Sequence, residues 1–262
     1  MICGPTGTGK SATAAKVCSL DLDQELWRTI TLGFSAKPTA HMTQSIIDGK
    51  LSKRRKGIFG PPAGKKFVLF VDDFSMPEVE TYGAQPPVEI LRQWMDHSGW
   101  YDLKDCTFRE LVDIQFIAAM GPPGGGRNPV TPRYIRHFNL LWATDYSPSS
   151  LASIFQTVFL WHFNKDKFPG ECTSLCNQIV GSTIAIFNNI ARELLPTPSK
   201  SHYTFNLRDL SKVFQGMTAG SPKTIVAAND LLRLWVHECK RVFSDRLVEK
   251  KDTSWFHGEV CN

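Results

Sequence analysis

No apolar run in the 262-residue chain approaches the ~20 residues that a membrane-crossing helix needs, so no helical span is expected. A signal-peptide pattern is missing too, because Met1-Ile2-Cys3 lead straight into a glycine-rich motif. The seven cysteines are an odd number and are scattered. Cys172 and Cys176 have a C-x3-C spacing, but no second pair and no nearby His-x3-His completes a zinc set. They read as reduced thiols of a cytosolic protein. Internal repeats and low-complexity tracts are absent. The basic run "KLSKRRKG" (50–57) supplies part of the net charge of +5, yet it has no interleaved aromatics and no base-reading motif. It reads as a solvated loop, and neither a membrane nor a nucleic acid is expected as a partner.

What remains is a globular composition, 42% hydrophobic and 21% charged, long enough for one large domain or two smaller ones. In the first half, strand and helix signals alternate. "SATAAKVCSL" predicts a helix and "WRTITLGF" (27–34) a strand. "TAHMTQSIIDGKL" predicts a helix with Met42, Ile46, Ile47 and Leu51 on its apolar face. "FVLFV" (67–71) is a continuous apolar run, as in a parallel strand covered on both faces. "PPVEILRQWMDH" opens with prolines where a helix accepts them. "VDIQFIAAM" (112–120) and "RHFNLLWA" (136–143) predict two further strands. The expectation is α/β: a parallel sheet flanked by helices.

After residue 146 the strand signals stop. Leu151, Ile154, Phe155, Val158 and Phe159 form one helical face, and Leu175, Ile179, Phe187, Ile190 and Leu194 a second. Asn206 and Asp209 make an N-cap pair for a third helix. Ser221-Pro222 is expected to open a long fourth, with Val226, Leu234, Trp235, Val242 and Phe243 inside. The expected organisation is an α/β domain over 1–146 and a helical one over 147–262.

Gly4-Pro5-Thr6-Gly7-Thr8-Gly9-Lys10-Ser11 fits G-x4-G-K-[ST]. The glycines let the backbone curl so that its N–H groups point at phosphate oxygens. Lys10 places a positive charge on the β/γ-phosphates, Ser11 ligates Mg2+, and the following helix turns the positive end of its dipole to the phosphates. The apolar strand ending in Asp72 and Asp73 supplies the acids: Asp72 to hold Mg2+, Asp73 at the place of a catalytic base, or else as a turn residue. Arg133 and Arg136, three apart in "TPRYIRHF", are candidates for an arginine finger toward a neighbouring subunit, or for an intrachain salt bridge. Arg208 is either a γ-phosphate contact or an ordinary exposed helix residue.

These motifs together resemble an AAA+ ATPase. "FVDDFSMPEVETYGAQPPVEILRQWMDHSGWYDLKD", "VDIQFIAAMGPPGGGRNPVTPRYIRHFN", "HYTFNLRDLSKVFQG" and "LLRLWVHECKRVFSDRL" resemble, more narrowly, the third AAA+ module of axonemal dynein heavy chains, over nearly the whole chain. The resemblance implies a ring of six modules in one long chain that moves along microtubules in cilia or flagella, with the third module regulatory. It implies ATP or ADP with Mg2+ as ligands. Neighbouring modules would be direct partners, microtubules partners through the parent motor, and intermediate and light chains partners in the complex. It places the protein in the cytoplasm, on the cytoskeleton of the axoneme. By resemblance Lys10 and Ser11 are Walker A contacts, Asp72 and Asp73 the Walker B acids and Arg208 the sensor arginine of the lid. Arg133 and Arg136 then point to the preceding module's nucleotide.

Two departures stand out. Asp73 replaces the family's usual Glu, and Gly121 stands where the general pattern has a polar sensor. Both weaken hydrolysis and spare binding, so slow or absent turnover is expected. With only Met1-Ile2-Cys3 before the loop, most of the central strand feeding it is expected to be missing, the chain to be a fragment, and its stability in isolation to be poor. The alternatives are an autonomous AAA+ ATPase forming homo-hexamers and, more remotely, a nucleic-acid remodeller using the 50–57 run.

Overall fold

The computed structural model describes residues 1–262 except Gly125, Lys167, Asn262 and the side chain of Cys261. Two compact units result, Met1–Asp145 and Tyr146–Asn262.

The first unit is built on a five-stranded parallel sheet. Its strands are β1 (Ile2–Cys3), β2 (Trp27–Gly33), β5 (Lys66–Asp72), β8 (Ile114–Met120) and β9 (Leu141–Trp142), in the order β2-β5-β8-β1-β9. β5 has parallel neighbours on both sides, Leu69 opposite Ile30 on β2 and Phe116 on β8. Its unbroken apolar run follows from burial on both faces. Phe67, Leu69 and Val71 join the larger core with Ile47 of α2 (Ala40–Asp48) and Val88, Leu91 and Trp94 of α3 (Pro86–His97). Phe70 points the other way, to Ala14 of α1 (Lys10–Lys16) and Ala119. The short β1 pairs only Ile2 and Cys3, with Ala119 and Met120 on one side and Leu141 and Trp142 on the other.

Several expectations need correcting. The 50–57 run is not a loop: Ser52–Arg55 is strand β3, hairpinned to β4 (Ile58–Gly60) in a second sheet of order β3-β4-β7-β6, with β6 Gly99–Tyr101 and β7 Phe108–Leu111. Arg54 is drawn inward by Asp113 at 2.6 Å and the Pro61 and Lys65 carbonyls at 2.9 and 3.1 Å. On α2, Ile47 is buried as expected, but Met42 and Ile46 are exposed and Thr43 and Gln44 are buried instead. Gln44 donates to the Tyr101 carbonyl at 2.7 Å, so a backbone group of the second sheet decides which face turns inward. The expected strand over 136–143 shrinks to β9. Thr131 caps α4 (Pro132–Ile135), with Pro132 in its first turn, because buried Tyr134 stacks on Phe74 with centroids 4.7 Å apart.

The second unit is helical: α5 (Pro148–Lys165), α6 (Gly170–Glu193), α7 (Leu207–Thr218), α8 (Ala228–Cys239) and α9 (Lys250–Cys261). Phe159, Phe163, Ile179, Ile190, Leu210, Phe243 and Phe256 lie at its core. Ile154 and Val158 of α5 are exposed, contrary to expectation. α7 carries the expected capping box, Asn206 Oδ1 accepting from the Arg208 N–H at 2.9 Å and Asp209 from the Asn206 N–H at 3.2 Å. The helix expected from Ser221-Pro222 begins only at Ala228, and Val226 is exposed. The Asp230 carboxylate accepts from the Ala227 N–H at 3.1 Å and starts it there. Burial pushes the Cys176 thiol up to about 11 and the Cys239 thiol up to about 12. Such thiols are inert packing groups at neutral pH.

Candidate functional site

Because the five strands are parallel, their C-terminal ends share one edge, where ligands of open α/β sheets bind. β1 runs there into the loop Gly4–Gly9, β5 into Asp72-Asp73 and β8 into Gly121. Gly7 and Gly9 have φ of +93° and +74°, a left-handed curl that favours glycine. Gly4 is required for a different reason, since a Cβ there would lie 2.3 Å from the Ala143 carbonyl oxygen just beyond β9. Within the loop, Lys10 Nζ donates to the Pro5 carbonyl at 2.5 Å and to Thr8 Oγ1 at 3.2 Å, and Thr8 Oγ1 donates to Pro5 at 3.0 Å.

Ser11 Oγ donates to Asp72 Oδ1 at 2.7 Å, joining the first turn of α1 to the end of β5. A hydroxyl and a carboxylate are hard oxygen donors, the type Mg2+ takes, and Mg2+ draws its remaining ligands from phosphates and water. Among the described residues no group of three or more His, Cys, Asp or Glu could form an all-protein metal cage. The donor set therefore fits Mg2+ held jointly with a phosphate.

Asp73 sits at φ +52°, exposed, in the left-handed region that Asp tolerates better than most residues. Its N–H donates to Asp72 Oδ1 at 3.0 Å and its carbonyl accepts from the Met76 N–H at 2.9 Å. It is thus a turn residue whose carboxylate faces solvent.

The next strand brings a residue that the sequence did not single out. Gly121 is buried at the end of β8, and a Cβ on it would lie 2.5–2.6 Å from Arg127 side-chain atoms. The Arg127 guanidinium occupies that space and donates from Nη2 to Thr6 Oγ1 at 2.9 Å. Arg127 pairs with Gly124 through two backbone bonds of 3.1 and 3.2 Å. Asn128 then ties the segment to the turn after the acids, through Ser75 O at 2.9 Å and Pro77 O at 2.8 Å. The one sequence signal was a lone basic residue closing a glycine-rich turn directly after a buried strand.

The remaining candidates are placed as follows. Arg133 lies in the four-residue α4 and Arg136 is its C-cap, still with helical backbone. Its guanidinium pairs with Asp96 of α3 at 2.6 Å, and His137 contacts the same carboxylate at 2.8 Å. The Asp96 carboxyl is pulled down to about 2, chiefly by the Arg136 hydrogen bond. Arg133 is exposed and has no ion-pair partner among the described residues. Arg208 is exposed in the first turn of α7, in the helical unit. The next residue, Asp209, is buried; desolvation acts to raise its carboxyl, but Arg246 at 2.7 Å, the Asn206 N–H and Lys212 together hold it low.

With the loop, the acids and the helical unit in view, comparison with known proteins is decisive. Residues 1–146 match the family described as the P-loop containing dynein motor region, and residues 179–260 the AAA+ lid domain. The chain belongs to the P-loop dynein motor-region family. Among curated relatives of this dynein chain, dynein axonemal heavy chain 1 of Homo sapiens is 51% identical over 97% of it. Dynein axonemal heavy chain 12 of Mus musculus is 48% identical over 99%, and dynein axonemal heavy chain 3 of Homo sapiens 46% over 98%. The chain spans only 6–8% of the length of these relatives.

Proposed function

We propose that this chain is a nucleotide-binding regulatory AAA+ module, the third, of an axonemal dynein heavy chain, and that it binds ATP or ADP with Mg2+ and hydrolyses ATP slowly or not at all. The observation that carries the reading is the Ser11–Asp72 hydrogen bond of 2.7 Å, which assembles the two oxygen ligands of Mg2+ beside the glycine loop. In this reading residues 1–146 form the large subdomain and 147–262 the lid.

The chain's own residues act as follows. Backbone N–H groups of Gly4 to Gly9 take phosphate oxygens, and Lys10 swings from the Pro5 carbonyl to the β/γ-phosphates. Ser11 and Asp72 hold Mg2+, which when bound neutralises phosphate charge. Asp73 faces the attacking water from a carbon chain one methylene shorter than Glu, from a turn that fixes its direction. Misplacing a general base forfeits on the order of 10²–10⁴ in rate. Arg208 takes the part of the lid's sensor arginine, and Arg133 and Arg136 face the preceding module's nucleotide. Partners are the neighbouring modules, microtubules through the parent motor, and intermediate and light chains, in the cytoplasm at the axoneme of cilia or flagella. The names of the relatives support that setting.

The test is single-turnover hydrolysis with the neighbouring modules present. Tight, Mg2+-dependent nucleotide binding with turnover far below that of a glutamate-bearing module is expected. Fast turnover abolished by Asp73→Asn would overturn the slow-site reading.

A further inference from the structure

We propose that Arg127 is a phosphate-binding residue acting within its own module, one that takes the place of the missing polar side chain at Gly121 and makes the site prefer nucleoside triphosphate to diphosphate. The proposal rests on the nucleotide-binding reading above.

The first argument is space. A buried glycine at the end of β8 leaves room that the Arg127 guanidinium fills, and any side chain at 121 would push it out. What looked like a lost sensor is the clearance for a longer side chain arriving from the following loop.

The second argument is charge. Arg127 is partly buried, and among the described residues no carboxylate pairs with it. Removing a cation from water, even in part, without a counter-charge is unfavourable unless an anion joins it. Of five N–H donors, the Nη2 bond to Thr6 uses one, while Nε is buried with no hydrogen-bond partner among the described residues. A strut serving only Thr6 would need neither the charge nor the spare donors. A phosphate oxygen uses both.

The third argument is position. β8 lies between β1, which feeds the glycine loop, and β5, which carries Asp72. A cation at the C-terminal end of β8 therefore stands between the loop and the metal-binding acid, within reach of the phosphates that both would hold. Its root is held by the Gly124 pairing and by Asn128 on Ser75 and Pro77, so it is pre-positioned.

Titration of fluorescently labelled ADP and of a non-hydrolysable ATP analogue tests this on wild type, Arg127→Gln and Gly121→Ala. The second variant displaces the guanidinium without removing it, and it covers the case in which the first does not fold. Expected is a loss of about tenfold in affinity for the ATP analogue in each variant, as for a charge-assisted hydrogen bond, with ADP changed less than about twofold. Equal weakening of both nucleotides would make Arg127 a strut for the loop and overturn the proposal, as would no change in either. If wild type binds neither nucleotide, the nucleotide-binding reading itself fails, and that outcome is visible before any variant is compared.

Discussion

The Ser11 hydroxyl and the Asp72 carboxylate, 61 residues apart in sequence, meet at 2.7 Å. This one bond couples the helix after the glycine loop to the strand that carries the acids. Ser11→Ala should lower stability by about 1.5–3 kcal/mol, the range for a hydrogen bond to a charged acceptor. It should also remove the Mg2+ dependence of nucleotide affinity. Urea unfolding, and titration in Mg2+ against EDTA, check the two effects separately.

Position 73 should respond to backbone rather than to charge. At φ +52° Asp73→Asn is expected to stay within about 0.5 kcal/mol of wild type, because Asn accepts left-handed backbone as readily as Asp. Asp73→Glu should lose about 1 kcal/mol or more, for an unfavourable left-handed residue. Thermal unfolding of the two variants side by side decides it. A more stable glutamate variant would contradict the strain argument.

Gly4→Ala should be among the most damaging changes in the loop. Its methyl would meet the Ala143 carbonyl oxygen at 2.3 Å, a backbone atom that does not yield cheaply. A loss of about 1–3 kcal/mol, typical of overpacking, is expected, and nucleotide affinity should fall with it. Calorimetry and nucleotide titration on the same sample test both.

Acid should loosen the α3–α4 contact. The folded-state carboxyl of Asp96 titrates at about 2, below the ordinary ~3.9, held there chiefly by Arg136. A depressed carboxyl stabilises the fold above its unfolded value and loses that contribution as pH falls toward its folded one. Wild type should therefore weaken between about pH 4 and pH 2. In Arg136→Ala the Asp96 titration, followed by NMR, should move upward and the acid-induced loss of stability should shrink.

Much of this was legible where a single local cause decides the outcome. The run 67–71 read as a strand covered on two faces, the Pro86-Pro87 start placed α3, and Asn206 with Asp209 placed α7. Legibility failed where a distant polar group took over. The apolar stripe on α2 holds at Ile47, yet Gln44 turns inward to the Tyr101 carbonyl while Met42 and Ile46 are left exposed. The basic run looked like solvated loop because Asp113, the partner of Arg54, lies 59 residues away. Within the site, the loop has a fixed spacing and the acids close an apolar strand, so both could be singled out from the sequence alone. Arg127 has no fixed spacing from what it touches, because its bond to Thr6 spans 121 residues.

The left-handed turn at Asp73 also acts as a filter on sequence drift. Substitutions that the backbone tolerates there, Asn and Gly, discard the carboxylate, while the one that lengthens it meets strain. Variation at this position is steered toward losing the acid altogether, and away from regaining a longer one unless the turn is rebuilt first.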